Sequence, residues 1–548
     1  MFDSLTRRHP LSLLLLALTL LAAAVYLPLL GHLPLYWEEP RRALVAAEML
    51  AGGDYLVPVH AGEIYLGKPP LFNWLILAAS LPAGQVGEVS ARLPSVLATW
   101  LLTLFLVASN FRRLGAEASL FFGGALLLAP EVLLKGQLAE IDLVFAGLVS
   151  GSLWTWFLLD QRGWRGLSLW VPPLLLTALG FLTKREPALV FFYLGVGSYL
   201  LTQGRWRELF SPGHLLAALL AALPVAAWLT TLAYRVGWDS LWHSLVQEVL
   251  LRGQRDGLGR YLTHLLTYPL QLLAAGLPFF ALLPPLVSGA WRRALLERYG
   301  DAARFAALVV LVNLPLYWFK GDLAVRYFLP MFPFLALLAA MSYANLMAGS
   351  PAGPWPRFYG GLARLLLGAT LPLALALVAS PWLTQRWFGG APAWPWPWSL
   401  GLALIAAGLA GWLWQGRRQR PLTLLLPAAL LTVLLARSLH FNLYIPYKSQ
   451  SLEHKQNAPA IAAQVMAQTT PERPLYVSRW IPSAVWFYAP RGRLVLTPDG
   501  AALREGDLLL RHAKVSGLPG LAPGLTLQPL APYRYEDDEL ILQRVRGP

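Results

Sequence analysis

The sequence predicts a mainly α protein: a polytopic membrane helix bundle with a small carboxyl-terminal soluble α/β domain. Of 548 residues, 56% are hydrophobic and only 13% charged, against about 25% charged in a soluble globular chain. About thirteen apolar runs approach the roughly 20 residues that cross a bilayer. After His440 these runs stop and a mixed composition takes over. The net charge of +15 sits mostly in short connectors, so it reads as membrane orientation and not as nucleic-acid binding. The absence of cysteine excludes a disulfide framework and thiolate metal sites.

The first run, 11–30, is too long for a signal-peptide core and has no small-residue cleavage site, so it reads as a retained span. The others lie near 89–110, 117–135, 141–159, 168–183, 187–202, 213–233, 268–290, 303–319, 327–347, 362–385, 398–415 and 421–440. Basic residues mark every second connector: Arg112 and Arg113, Arg162 and Arg165, Arg205 and Arg207, Arg292 and Arg293, then Arg417, Arg418 and Arg420. These connectors, with Arg7 and Arg8, are expected in the cytoplasm, which puts the carboxyl-terminal domain on the outer side.

Two outer segments are long. In 31–88, the stretch Pro69–Leu77 is too short to span and reads as an interfacial helix. The segment 234–267, rich in Arg, His and Gln, suits a lid. Trp394, Trp396 and Trp398, alternating with prolines, read as an interfacial anchor. Residues 1–440 thus form the membrane domain and 441–548 the outer one. In the latter, Ser451–Gln468 reads as helix. Leu475–Val477, Arg493–Leu496, Leu508–Leu510 and Leu540–Leu542 read as short strands between Pro and Gly punctuation.

Ionisable groups at membrane depth are costly and tend to be functional. Four clusters fall on the outer side: the loop Glu38, Glu39, Arg41, Arg42, Tyr65 and Lys68; Glu140 and Asp142; Lys184, Arg185 and Glu186; and Lys320, Asp322, Arg326 and Tyr327. Each alone has a bland reading as solvated connector charge or snorkelling cations. An acid at a helix start also favours the helix dipole, so Glu140 and Asp142 could act as caps. Agreement of all four on one face points instead to a polar cavity opening outward. His214, His243 and His264 show no ligand spacing, and no glycine-rich piece matches a phosphate loop.

Such a cavity suits glycosyl transfer from a polyprenyl-phosphate sugar. Lys and Arg would grip the phosphate and stabilise it as it leaves. A carboxylate would deprotonate an acceptor hydroxyl on the opposite face of the sugar, giving inversion. If the acceptor is itself a phosphate, the carboxylate would orient substrates instead.

These residues resemble the GT-C glycosyltransferases, specifically the superfamily of aminoarabinose transferases and protein O-mannosyltransferases. The family's Asp-Glu-x-Arg-Tyr motif and Ala-rich helix correspond to Glu38-Glu39-Pro40-Arg41-Arg42 and Ala46-Ala47-Glu48-Met49-Leu50. The resemblance implies catalytic roles for Glu38 and Asp142, and donor-phosphate contacts for Arg41, Lys68 and Lys184. It places Glu39, Arg42, Tyr65, Glu140, Arg185, Arg326 and Tyr327 near the substrates. It also implies a bacterial inner-membrane location, a periplasmic active site, undecaprenyl phosphate as carrier, and a lipid (as in lipid A modification), glycan or protein acceptor. Glutamate replaces aspartate at 38 and arginine replaces tyrosine at 42. Thr183-Lys184-Arg185-Glu186-Pro187 replaces Thr-Lys-Gly-Pro, and Gly67 stands where relatives carry a metal-binding glutamate, so no cofactor is assigned and a divalent metal stays open as an alternative. The rival readings are a transporter or flippase of polyprenyl-linked or anionic substrates, and a structural assembly protein. Charges clustered at one edge, without internal repeats, favour the enzyme.

Overall fold

The computed structural model describes residues 9–547, except 244–256, 322, 350–352, 390–394, 417–420, 456, 470–474, 480, 491–492, 498 and 515–517. The chain divides into two compact units. One comprises residues 1–29, 67–71 and 94–444, the other 30–66, 72–93 and 445–548.

The first unit is helical, and every predicted apolar run falls on a helix. Among the described residues nine helices are long and apolar enough to span a membrane, or ten if one bent pair counts as a single span. Pro10–Tyr26 and Pro187–Thr202 are apolar but shorter. Runs 89–110 and 117–135 lie on either side of a break at Gly115 within Glu88–Leu128, at a φ of 76° that glycine adopts without steric cost, and the second run ends in a short helix, Pro130–Lys135. One expected span changes. The expected span 268–290 is broken: Leu258–Ala275 and Phe279–Val287 meet at 110°. Gly276 lies at this break, where a Cβ would come within 2.1 Å of Phe280, and Pro278 cannot continue the hydrogen-bond ladder. Of the expected lid, 244–256 lies outside the described residues, as do Arg7, Arg8, Asp322, Trp394 and Arg417, Arg418 and Arg420.

The last carbonyls of Pro10–Tyr26 have no partner in their own helix. Arg437, buried in the late helix Leu425–Leu439, donates from Nε and Nη2 to the Val25 carbonyl at 3.2 and 2.9 Å. It also donates to the Gln137 side chain. Gln137 in turn donates to the carbonyls of Tyr26 and Pro28.

The second unit holds a hairpin of β1 (Val59–His60) and β2 (Glu63–Ile64), and a separate five-stranded sheet. The strands of the sheet are β3 (Leu475–Val477), β4 (Leu494–Leu496), β5 (Leu508–His512), β6 (Thr526–Tyr535) and β7 (Asp538–Arg546), in the order β4-β3-β5-β7-β6. β3 runs parallel to β4 and β5, and β7 antiparallel to β5 and β6. Side chains alternate along β5: Leu508 and Leu510 enter one core and Leu509 the other. The helix expected over Ser451–Gln468 is two, Ile445–Lys455 and Ala458–Ala467, the second capped by Asn457 with Pro459 in its first turn. The first outer segment packs in this unit. Its helix Glu39–Gly52 puts Leu44 into the same core as Ala458, Ile461, Leu475, Val477 and Leu510. Glu39–Gly52 is followed by a small hairpin, Val59–His60 with Glu63–Ile64, and by the short helix Leu71–Ser80.

Candidate active site

The predicted residues gather into two constellations, one in each unit. In the first unit, Ile141–Gln161 opens with Asp142 in its first turn, and Gly166–Lys184 ends on its lysine. These ends meet: Lys184 Nζ donates to Asp142 Oδ1 at 2.5 Å, with both side chains largely buried. The ammonium also stands 4.6 Å from the Tyr327 ring centre and 5.5 Å from that of Phe145. Arg326 lies 5.2 Å from the same tyrosine ring and donates to its hydroxyl at 3.4 Å.

Glu140 occupies the N-cap position of Ile141–Gln161, yet its side chain caps nothing. Its Oε2 accepts from Lys135 Nζ at 2.7 Å in a buried pair. Asp142 likewise serves Lys184, so the helix-cap reading of these two acids does not hold. Burial pushes the Glu140 and Glu131 carboxyls above the ordinary range, with Lys135 opposing it in both. Glu140 Oε1 and Arg326 Nε are buried and make no hydrogen bond within the protein. Buried polar atoms are nearly always satisfied, and a polar ligand would satisfy these.

In the second unit, Glu39–Gly52 begins directly after Glu38. The Glu38 carboxylate is half-exposed, 3.1 Å from Arg41 Nη1 and 3.5 Å from Arg42 Nη2. Arg42, nearly buried, donates from Nη1 to the Tyr65 hydroxyl at 3.0 Å. His60 joins this group, with Nε2 2.8 Å from Ser483 Oγ. Burial, reinforced by Arg41 and Arg42, pushes its imidazole down to about 4, so it is neutral at physiological pH.

Glu39 differs from its neighbour. It is 0% exposed, and both its oxygens are held by Arg92, Nε at 2.7 Å and Nη2 at 2.8 Å. Arg92 further donates to the carbonyls of Leu30, Leu33 and Pro34. Glu39, expected as a substrate contact, is instead a buried anchor that fixes the loop ahead of Glu38. Lys68 is half-buried and belongs to the first unit, in its stretch 67–71.

Five described non-glycine residues have left-handed φ, and two adjoin the motifs: Trp37 at 56° before Glu38, and Arg185 at 66° after Lys184. Such strain costs about 1–3 kcal/mol per residue and collects at functional sites. Arg185 is buried, at a positive φ that glycine adopts without steric cost.

Arg92, Lys135, Glu131, His60 and Ser483 were not singled out in the sequence. A lone arginine just inside an apolar run, and a lysine closing one, are the signals that Arg92 and Lys135 offered. Among the described residues no three His, Asp or Glu side chains converge on a point, and Gly67 brings no carboxylate.

The family model of dolichyl-phosphate-mannose-protein mannosyltransferases matches residues 67–237. The undecaprenyl phosphate-alpha-4-amino-4-deoxy-L-arabinose arabinosyl transferase of Pseudomonas aeruginosa strain UCBPP-PA14 is 31% identical over 421 residues, covering 74% of this chain and 72% of the relative. The Pseudomonas paraeruginosa protein of that name is 32% identical over 420 residues, with the same coverage. The crystal structure of ArnT from Cupriavidus metallidurans in the apo state superposes with a TM-score of 0.66 at 19% identity, over 98% of this chain and 99% of that one. Its undecaprenyl phosphate-bound form gives 0.64 at 20% identity, over 96% and 97%. The structural likeness establishes the fold, and the sequence relatives establish the lineage. The chain belongs to the aminoarabinose transferase family of GT-C membrane glycosyltransferases.

Proposed function

We propose that this chain transfers a glycosyl group from an undecaprenyl-phosphate donor to a lipid acceptor on the periplasmic face of the bacterial inner membrane. The observation that carries the reading is the Lys184 ammonium, held between the Asp142 carboxylate and the Tyr327 ring with Arg326 alongside. A partly desolvated cation already paired to an acid can exchange that partner for a phosphate, forming a strong charge-assisted hydrogen bond.

In the proposed reaction the bond between the sugar anomeric carbon and the phosphate oxygen breaks. The electron pair stays on the polyprenyl phosphate, whose charge Lys184 and Arg326 stabilise. The acceptor oxygen forms the new bond from the opposite face, and its proton passes to a carboxylate base, the role that the family resemblance gives to Glu38, which yields inversion. With a phosphate acceptor no proton needs removal, and Glu38 then orients the nucleophile. Asp142 holds Lys184 in position until the donor phosphate takes its place. The transporter reading has no support from the relatives, which are transferases.

The test is transfer by the purified chain in liposomes holding a glycosylated undecaprenyl phosphate and a lipid acceptor, read by mass spectrometry. Glu38→Gln and Asp142→Asn should each reduce turnover by about a hundredfold or more, the scale of lost acid–base catalysis, while insertion and folding persist. Full activity in both variants would sink the assignment.

A further inference from the structure

The Lys135–Glu140 pair of the first unit uses only part of its hydrogen-bonding capacity. Both residues are 5% exposed, and Lys135 Nζ meets Glu140 Oε2 at 2.7 Å. The other carboxylate oxygen, Oε1, is buried and accepts nothing within the protein, while Arg326 Nε is buried and donates to nothing. Arg326 and Glu140 attract each other electrostatically, so a spare acceptor and a spare donor share one neighbourhood. Ser95 fixes the backbone here, its Oγ donating to the carbonyls of Leu138 at 2.8 Å and Glu140 at 3.2 Å.

The chemistry of the group that would complete this cluster follows from what is left over. A phosphate oxygen would satisfy Arg326 but meet like charge at Glu140, and an ammonium would satisfy Glu140 but meet like charge at Arg326. A hydroxyl donates and accepts through one atom and serves both. The charge balance agrees. Electrostatic interactions link Glu131, Glu140 and Asp142 with Lys135, Lys184 and Arg326, three acids against three cations, so the cluster favours a neutral group. Asp142, two residues after Glu140, pairs with Lys184, the proposed ligand of the donor phosphate. The sugar hydroxyl nearest an anomeric phosphate is the one on the adjacent ring carbon, C2.

We propose that Glu140 and Arg326 bind the 2-hydroxyl of the transferred sugar, with Lys135 holding the Glu140 carboxylate in position. The hydroxyl donates to Glu140 Oε1 and accepts from Arg326 Nε. Its bond to the carboxylate strengthens as positive charge develops at the neighbouring anomeric carbon. The contact is indifferent to an amine elsewhere on the ring. The inference rests on the transferase reading above and deepens it.

The test measures binding to the full chain in liposomes, by displacement of a fluorescent polyprenyl phosphate. Three ligands are compared: undecaprenyl phosphate carrying an aminopentose, the 2-deoxy form of that donor, and sugar-free undecaprenyl phosphate. The native chain should bind the parent donor at least about tenfold more tightly than its 2-deoxy form, the scale of one hydrogen bond to a charged group. Glu140→Leu should erase that preference and leave sugar-free lipid binding unchanged. The double variant Lys135→Met/Glu140→Leu strands no buried charge and should do the same where the single variant fails to fold. Equal binding of the two donors by the native chain overturns the inference and leaves an ordered water as the partner of these atoms. A preference that survives in the double variant also overturns it. Weakened sugar-free lipid binding in the double variant, in step with both donors, makes the pair a structural support and overturns it as well. All three results leave the transferase reading standing; that reading falls if the native chain transfers no sugar, and the inference falls with it.

Discussion

Replacing Arg92 with leucine removes one side chain that serves a carboxylate and three backbone carbonyls. Glu39 is fully buried and Arg92 nearly so, with the two joined at 2.7 and 2.8 Å. Breaking a buried pair from one side costs about 3–5 kcal/mol, because the remaining charge has no solvent. The carbonyls of Leu30, Leu33 and Pro34 lose a donor as well, at about 1–3 kcal/mol each if they stay buried. Even with partial relaxation the loss should exceed about 5 kcal/mol, the lower end of a domain's total stability. The chain in detergent, followed by tryptophan fluorescence during chemical denaturation, should lose its first transition in Arg92→Leu. Adding Glu39→Leu removes the stranded charge, so the double variant should recover about 2–3 kcal/mol relative to Arg92→Leu alone. A single variant within about 1 kcal/mol of the native chain, or a double variant worse than the single, would refute this account of Glu39 as an anchor.

His60 predicts a pH dependence of definite sign. Its folded imidazole is held at about 4 against an ordinary 6.5, so between those values the unfolded chain binds the extra proton. Stability should therefore fall as the solution is acidified from about pH 6.5 to pH 4, by at most about 3 kcal/mol before solvent screening. His60→Gln should flatten that slope in a series of melting curves. Membrane orientation is directly testable because the chain contains no cysteine. A single cysteine at exposed Glu63 or Arg479, which form a surface ion pair in the second unit, should react with an impermeant maleimide in intact spheroplasts. Protection until the membrane is opened would reverse the proposed topology.

The helices were legible because lipid-facing segments must be apolar throughout, whatever they pack against. Register along them was not. The break at Gly276 depends on local backbone angles that an apolar run conceals. The strand β6 escaped notice because Pro529 and Pro532 interrupt it. It sits at the sheet edge beside β7 alone, where missing donors are tolerated, and a register shift falls between Pro529 and Ala531. In the candidate site, Glu38 and Glu39 are adjacent in sequence yet diverge in fate, since successive residues at a helix start face different directions. One remains half-exposed between two arginines, and the other is buried on Arg92, 53 positions away. A lone arginine inside an apolar run is visible in the sequence, but nothing local tells which carboxylate it serves.

The bond from Arg437 to Val25 joins residues 412 positions apart. At roughly 5–20 residues per second of synthesis, the ribosome needs about 20–80 s to deliver the arginine after the first helix has emerged. Throughout that interval the carbonyl end of the first helix lacks its eventual donor, so the bundle closes only when its opening and final apolar segments are both in place. Chains interrupted before residue 437 should therefore carry an unlatched first helix and be recognised by membrane quality-control proteases, however complete their catalytic motifs.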